Sequence, residues 1–166
     1  MIRMPLERPK NFAFIDGQNL YLGLKESGIT LDFRRFRMYL HDRFHVVEAY
    51  YFIGYMPQNQ TLYTGLQRAG FILQFKEVSH DSDGKAKGNV DVDLTMHVLD
   101  KITQYDGAVL VTNDGDFAPV VAYLIDKGKL QAVLSPNRAK CSYLLRRAAQ
   151  GRLHYLDWSR SKIERT

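Results

Sequence analysis

Asn11-Phe12-Ala13-Phe14-Ile15-Asp16-Gly17-Gln18-Asn19-Leu20 decides how the chain is read. The largely apolar run from Asn11 to Ile15 suits a buried strand, and it ends abruptly at Asp16-Gly17. Beyond that turn Leu20, Tyr21 and Leu24 recur at helical spacing until Gly28, so the segment is strand, tight turn, helix. The pattern repeats. Val46 to Ile53 is rich in β-branched and aromatic residues, and Phe71 to Phe75, Ala108 to Thr112, Leu130 to Ser135 and Leu153 to Leu156 are further strand segments. From Phe33 onward Phe33, Phe36, Leu40 and Phe44 form the inner stripe of a helix capped by Asp32, with Arg34, Arg35, Arg37 and Arg43 outside. Other helices are expected over 58–69 before Gly70, over Val90 to Gln104, and over Phe117 to Lys127 with Pro119 in the first turn. A basic helix follows over Arg138 to Gln150 with Leu144, Leu145 and Ala148 inward, and the polar stretch from Ser79 to Gly88 is expected as a mobile loop. Alternating strands and helices imply βαβ units. The expected fold is α/β, with a mainly parallel central sheet, helices on both faces and ligands at the carboxyl ends of the strands.

A length of 166 residues with 45% hydrophobic content fits one compact domain, and 25% charged residues exclude the composition of a disordered chain. The single cysteine, Cys141, excludes an intramolecular disulfide. Together with an opening of Arg3, Pro5, Glu7, Arg8 and Pro9, which has no apolar segment, it suits a reducing, cytoplasmic compartment. The most apolar stretch, Val46 to Met56, is interrupted by Glu48 and Gly54 and falls short of the roughly 20 residues that cross a bilayer, so no membrane is expected. With 23 Lys and Arg against 18 Asp and Glu, the chain carries +5 and favours a polyanionic partner.

The acidic residues fall at informative places. Asp16 directly follows the first strand, and Asp114 and Asp116 follow the strand that ends at Thr112. If those strands are parallel neighbours, three carboxylates meet at one sheet edge. Asp91, in the first turn of the preceding helix, can bring a fourth, with Asp93 two residues further on. Clustered carboxylates repel, and burying them unpaired is costly, so the cluster implies a bound cation. Oxygen ligands favour Mg²⁺ or Mn²⁺, and such an ion serves hydrolysis of a phosphate ester.

Each acid also has an ordinary use where it stands. Asp16 can cap the following helix, Asp114 and Asp116 can be turn residues, and Asp91 and Asp93 can complement a helix dipole. Asn19 is a turn or cap residue whose amide can reach Asp16 or a water. Other patterns carry less. His41 and His45 have ligand spacing without a third ligand. Asp81-Ser82-Asp83-Gly84 departs from a calcium loop in its early glycine and in Lys85. Gln18 stands where a haloacid-dehalogenase-type phosphatase has a second aspartate, no phosphate-binding glycine loop is present, and Cys141 lacks a base.

Three segments together carry a resemblance: Phe14-Ile15-Asp16-Gly17-Gln18-Asn19-Leu20, Lys87-Gly88-Asn89-Val90-Asp91-Val92-Asp93-Leu94, and Val111-Thr112-Asn113-Asp114-Gly115-Asp116-Phe117-Ala118-Pro119. They resemble the signature blocks of the NYN domain, and more closely the LabA/DUF88 branch of that PIN-like nuclease superfamily, in order and spacing. The resemblance divides the chain into an extension over 1–10, an NYN/PIN-like domain over 11–157 and a polar tail over 158–166. It implies a three-layer α/β/α, Rossmann-like PIN fold and a ribonuclease dependent on Mg²⁺ or Mn²⁺. Carried over by position, Asp16, Asp91, Asp114 and Asp116 match metal ligands, with Asp93 an alternative second acid, while Asn19 and Thr112 match the residues that orient water and phosphate. Single-stranded RNA is the implied substrate, contacted at phosphates by Lys85, Lys87, Arg138 and Lys140. Ala148-Ala149-Gln150-Gly151 lacks the late acid and aromatic that often close the family's last helix. The branch is also associated with regulation, so a binding module acting on RNA or a protein partner is the competing expectation, and a homo-oligomer stays open. Setting aside the four matched acids leaves 23 positive against 14 negative charges, a balance of +9 outside the site.

Overall fold

Along the first strand, β1 (Asn11–Asp16), Phe12 and Phe14 enter one buried cluster and Ala13 and Ile15 another. That period of two places apolar side chains on both faces, so the strand needs helices above and below it. The computed structural model describes residues 6–80, 82–84, 86–87 and 89–166, of which 86 and 87 are described by backbone alone.

The chain runs from β1 through α1 (Gly17–Glu26) and α2 (Phe33–Phe44) to β2 (Val46–Gly54), and through α3 (Gln60–Arg68) to β3 (Phe71–Lys76). A short antiparallel hairpin, β4 (Ser79–His80) with β5 (Ala86–Lys87), leads into α4 (Asp91–Asp100) and β6 (Ala108–Val111). Then follow α5 (Ala118–Asp126), β7 (Leu130–Ser135), α6 (Tyr143–Ala149), β8 (Leu153–Tyr155) and α7 (Arg160–Ile163). The six strands of the main sheet lie in the order β3-β2-β1-β6-β7-β8, and every pairing is parallel. Leu20, Leu24, Phe36, Leu40, Leu66 and Ile163 fill one face, and Leu94, Val98, Val121, Leu124 and Leu145 the other. The expected three-layer α/β/α architecture is the observed one. No helix among the described residues is long and apolar enough to cross a membrane.

Several local expectations are corrected. The loop expected over 79–88 contains the two-residue hairpin β4–β5. Helix α4 ends at Asp100 rather than Gln104, because the Tyr105 hydroxyl donates to the Val98 carbonyl at 2.7 Å and takes the acceptor that a continued helix would use. The helix expected over 138–150 is broken. Residues 138–140 form a separate 3₁₀ turn, Cys141 and Ser142 are extended, and Ser142 N–H donates to the Asn113 carbonyl at 3.1 Å before α6 begins. That shift of start turns Leu144 outward, at 59% exposure, and puts Leu145 and Ala149 inside.

Residues 158–166, expected as a polar tail, pack back onto the domain. Ile163 is fully buried, its carbonyl accepts the Asp32 N–H at 2.9 Å, and Arg165 N–H donates to the Thr30 carbonyl at 2.8 Å. Ile163 is the buried apolar anchor of this segment, and Arg160, whose guanidinium donates to the Ser27 and Gly28 carbonyls, adds polar ties. Replacing Ile163 by Ala should therefore destabilise the fold by about 2–5 kcal/mol, a core-sized loss that urea unfolding will register. A change within error would mean that the segment contributes no stability.

Candidate metal centre

The strand order reverses between β1 and β6, since the chain builds outward from β1 to β3, returns, and builds outward again from β6 to β8. At such a switch point neighbouring strands send their following loops apart and leave a crevice at their carboxyl ends. Ile15 pairs with Val111, so Asp16 and Thr112 stand side by side at the head of that crevice.

Asp16 ends β1 in an extended conformation and caps α1, accepting the Asn19 N–H at 3.3 Å. The turn is tight because α1 starts against β2: a Cβ on Gly17 would lie 2.8 Å from the Phe52 carbonyl oxygen and strike the Tyr51 ring. Asp114 caps the 3₁₀ turn over Gly115–Phe117 through the Asp116 N–H at 2.8 Å. Thr112, fully buried, joins the two acids: its oxygen accepts the Asp114 N–H at 3.1 Å and its hydroxyl donates to the Asp16 carboxylate. Asp91 opens α4, and its N–H donates to Asn89 Oδ1 at 2.8 Å.

These elements bring together one carboxylate oxygen each from Asp91, Asp114 and Asp116, all within 4.8 Å of one another. Asp16, Asn19, Leu22, Gly54, Asn89, Asp91 and Asp114 line a cleft of about 310 Å³ beside them. Exposure falls along the set. Asp116 is open to solvent, Asp91 and Asp114 are half-buried, and Asp16 is 6% exposed. Among the described residues none of the four acids is ion-paired. Burial, reinforced by the charges of Asp91 and Asp114, pushes Asp16 up to about 6 against the opposing bonds from Asn19 and Thr112. Asp91 is likewise raised, chiefly by burial and then by Asp114. Such a set can hold a hard divalent cation, because it offers oxygen donors at short mutual distance and lacks a counter-charge.

Asp93 points away from this group. Two positions along a helix turn a side chain by about 200°, and Asp93 pairs with Lys76 at 3.4 Å. Arg138 and Lys140 are exposed on the turn after β7, and the Arg138 guanidinium lies 5.5 Å from the Trp158 ring centroid. Lys85 and the side chain of Lys87 lie outside the described residues. His41 bonds to Asp42 at 2.9 Å, and Cys141 is a buried packing residue with its thiol pushed up by burial.

Sequence reasoning passed over the polar support beneath the site. Asn113, buried, donates its N–H to Asn19 Oδ1 at 2.6 Å and accepts from the Ser135 hydroxyl. Asn137 Nδ2 donates to the Gly23 carbonyl at 3.2 Å, so α1, the loop after β6 and the loop after β7 are tied together. The signal available was a run of small amides at the carboxyl ends of two strands, which looks the same as ordinary turn chemistry.

The NYN domain model matches residues 12–157. The chain is 31% identical over 170 residues to low amplitude and bright protein LabA of Synechococcus elongatus, covering 96% of this chain and 90% of that protein. In structure it is similar to a protein of unknown function from Vibrio parahaemolyticus, with a TM-score of 0.76 at 23% identity over 92% of this chain and 96% of that one.

A titration consequence follows for Asp16. Its carboxyl is raised to about 6 in the folded protein against an ordinary value of 3.8. Between those pH values the folded state keeps a proton that the unfolded chain has released, so metal-free stability falls as pH rises from about 4 to 6 and levels off above. The full loss is about 3 kcal/mol. Asp16→Asn, which keeps the acceptor without the charge, should raise the metal-free melting temperature at pH 7.5 and lose that advantage below pH 4. A variant less stable than wild type at pH 7.5 would contradict this account.

Proposed function

The chain belongs to the NYN domain family, and on that premise we propose that it is a divalent-metal-dependent ribonuclease that hydrolyses phosphodiester bonds of single-stranded RNA. NYN domains are part of the PIN-like nuclease superfamily and act on nucleic acid. The observation that carries the finer reading is the approach of Asp91, Asp114 and Asp116 within 4.8 Å, with no paired cation among the described residues. A protein that only holds a polyanion gains nothing from such a group, which repels phosphate.

The donors are carboxylate oxygens with amide and hydroxyl groups beside them, without histidine or thiolate, and this suits Mg²⁺ or Mn²⁺. Asp16, Asp91 and Asp114 are the direct ligands in this reading, and Asp116 is a direct or water-mediated one. The bound ion supplies the charge that lowers the pKa of water and neutralises the phosphodiester. Asn19 has its Oδ1 engaged by Asn113, which leaves its Nδ2 hydrogens to donate to a water or phosphate oxygen in the cleft. Thr112 is a positioning residue, since its hydroxyl is held between Asp16 and the Asp114 N–H. Arg138 and Lys140 contribute positive charge for the phosphate backbone on the neighbouring loop.

The deciding measurement is cleavage of labelled single-stranded RNA by purified protein. Activity should need Mn²⁺ or Mg²⁺ and disappear in EDTA, and Asp16→Asn and Asp114→Asn should each lower it roughly 100-fold or more. Asp93→Asn, altering an acid that pairs with Lys76 instead, should cut at near the wild-type rate. Cleavage that survives EDTA, or that survives both substitutions, sinks the reading. RNA binding with no cleavage under either metal would leave a binding module in its place.

A further inference from the structure

Trp158 is the chain's one tryptophan, and it is 69% exposed. Large aromatic side chains gain most from leaving water, so a ring left this open at a fixed position has a surface to offer. The ring is not loose. Tyr155 meets it edge-on, with centroids 4.8 Å apart at 62°, and the Arg138 guanidinium lies 5.5 Å from its centroid.

The location gives the ring its meaning. Trp158 follows β8, and because every strand of the main sheet is parallel it emerges at the same carboxyl edge as the acids. Strand β8 lies two positions from β6, about 10 Å at the usual strand spacing. Direct contacts bridge the gap: the Ser135 hydroxyl and the Ser142 N–H hold the loop after β7 to Asn113, next to Asp114, and Arg138 on that loop reaches the indole. Lys140 is exposed on the same turn.

We propose that Trp158 is a stacking platform for a nucleobase of single-stranded nucleic acid that crosses this edge, with Arg138 and Lys140 meeting the adjoining phosphates. The proposal rests on the nuclease reading and adds to it a base-binding position away from the cut bond. A planar ring beside a guanidinium, with a lysine two residues further along the same turn, matches a base attached to its phosphate, and stacking accepts any base, so the contact favours strandedness over sequence. Bases inside a duplex are already stacked and cannot use the platform.

The single tryptophan makes the test direct. Wild-type protein in EDTA, where the proposed cleavage is silent, is titrated with single-stranded RNA, with duplex RNA and with inorganic polyphosphate while indole emission is followed. Single-stranded RNA should quench emission in a saturable way, and polyphosphate, which has charge and no bases, should not. By anisotropy of a labelled oligonucleotide, Trp158→Ala should weaken binding roughly tenfold and Trp158→Phe should recover part of it. Binding of RNA with unchanged emission, unchanged affinity of the alanine variant, or equal quenching by polyphosphate overturns the platform while the nuclease reading stands. Quenching and weakened binding by a protein that never cleaves keeps the platform and removes the nuclease reading. Absence of any RNA binding removes both.

Discussion

Parallel hydrogen bonding of β1 to both β2 and β6 is the constraint on which the site depends. Because Ile15 is locked opposite Val111, the residues that follow each strand have no freedom to separate. Asp16 and Asp114 are therefore brought together by backbone pairing rather than by attraction between their side chains. Each is held again at its own element by a cap hydrogen bond, so short side chains on fixed backbone cannot swing far enough to relieve their repulsion. Asp91 arrives from the opposite layer because Leu94 and Val98 pin α4 to the sheet and leave its first turn over the crevice. The ordinary roles that Asp permits, helix cap and turn, are occupied here by the same residues that line the cleft. Backbone N–H groups directed at Asp16 and Asp114 partly offset the cost of crowding negative charge.

That cost needs rigid support beneath it. The amides and hydroxyl of Asn19, Asn113, Ser135 and Asn137 tie α1 and two strand-end loops into one buried unit. Buried polar groups stabilise only when they are satisfied, and here the partners lie on segments distant in the chain. Gly23 belongs to the same arrangement. A Cβ there would sit 2.7 Å from Pro136 and 3.1 Å from Asn113, so the close approach of α1 to both loops requires glycine at this place. The polar layer thus adds directional ties between the segments that carry the acids, which apolar packing below it does not supply.

The strands of the main sheet and their order along the chain were legible because each is an apolar run ended by a turn signal, and that signal is local. Asp16 and Asp114 were legible for the same reason, being the first polar residues after such runs. What sequence spacing left conditional was the adjacency of β1 and β6, which is a pairing across nearly a hundred residues. Helix limits were less visible where tertiary contacts set them: Tyr105 stops α4, and the pull of Asn113 on Ser142 breaks the helix expected from Arg138. Spacing alone did not separate Asp91 from Asp93, because that needs the helix phase; in the fold Asp91 stands with Asp114 and Asp116, and Asp93 pairs with Lys76. Ile163 was hidden by its polar neighbours, although it is buried in the cluster beneath α2 and the Arg35 guanidinium donates to the Ser161 carbonyl beside it.

Charge distribution follows from the same geometry. The four acids gathered at the crevice leave a balance of +9 over the rest of the chain, so a phosphate approaching from a distance meets attraction and one arriving at the acids themselves meets repulsion. The gradient of exposure orders what happens there. Asp116 faces solvent, while Asp16, raised to about 6 chiefly by burial, lies at the closed end. A cation and a proton compete for that last carboxylate, since a ligand must be deprotonated to bind. On the proposed reading, a divalent ion held by these acids would offset part of their negative charge where a phosphodiester must sit, so it would bear on substrate binding as well as on the chemical step.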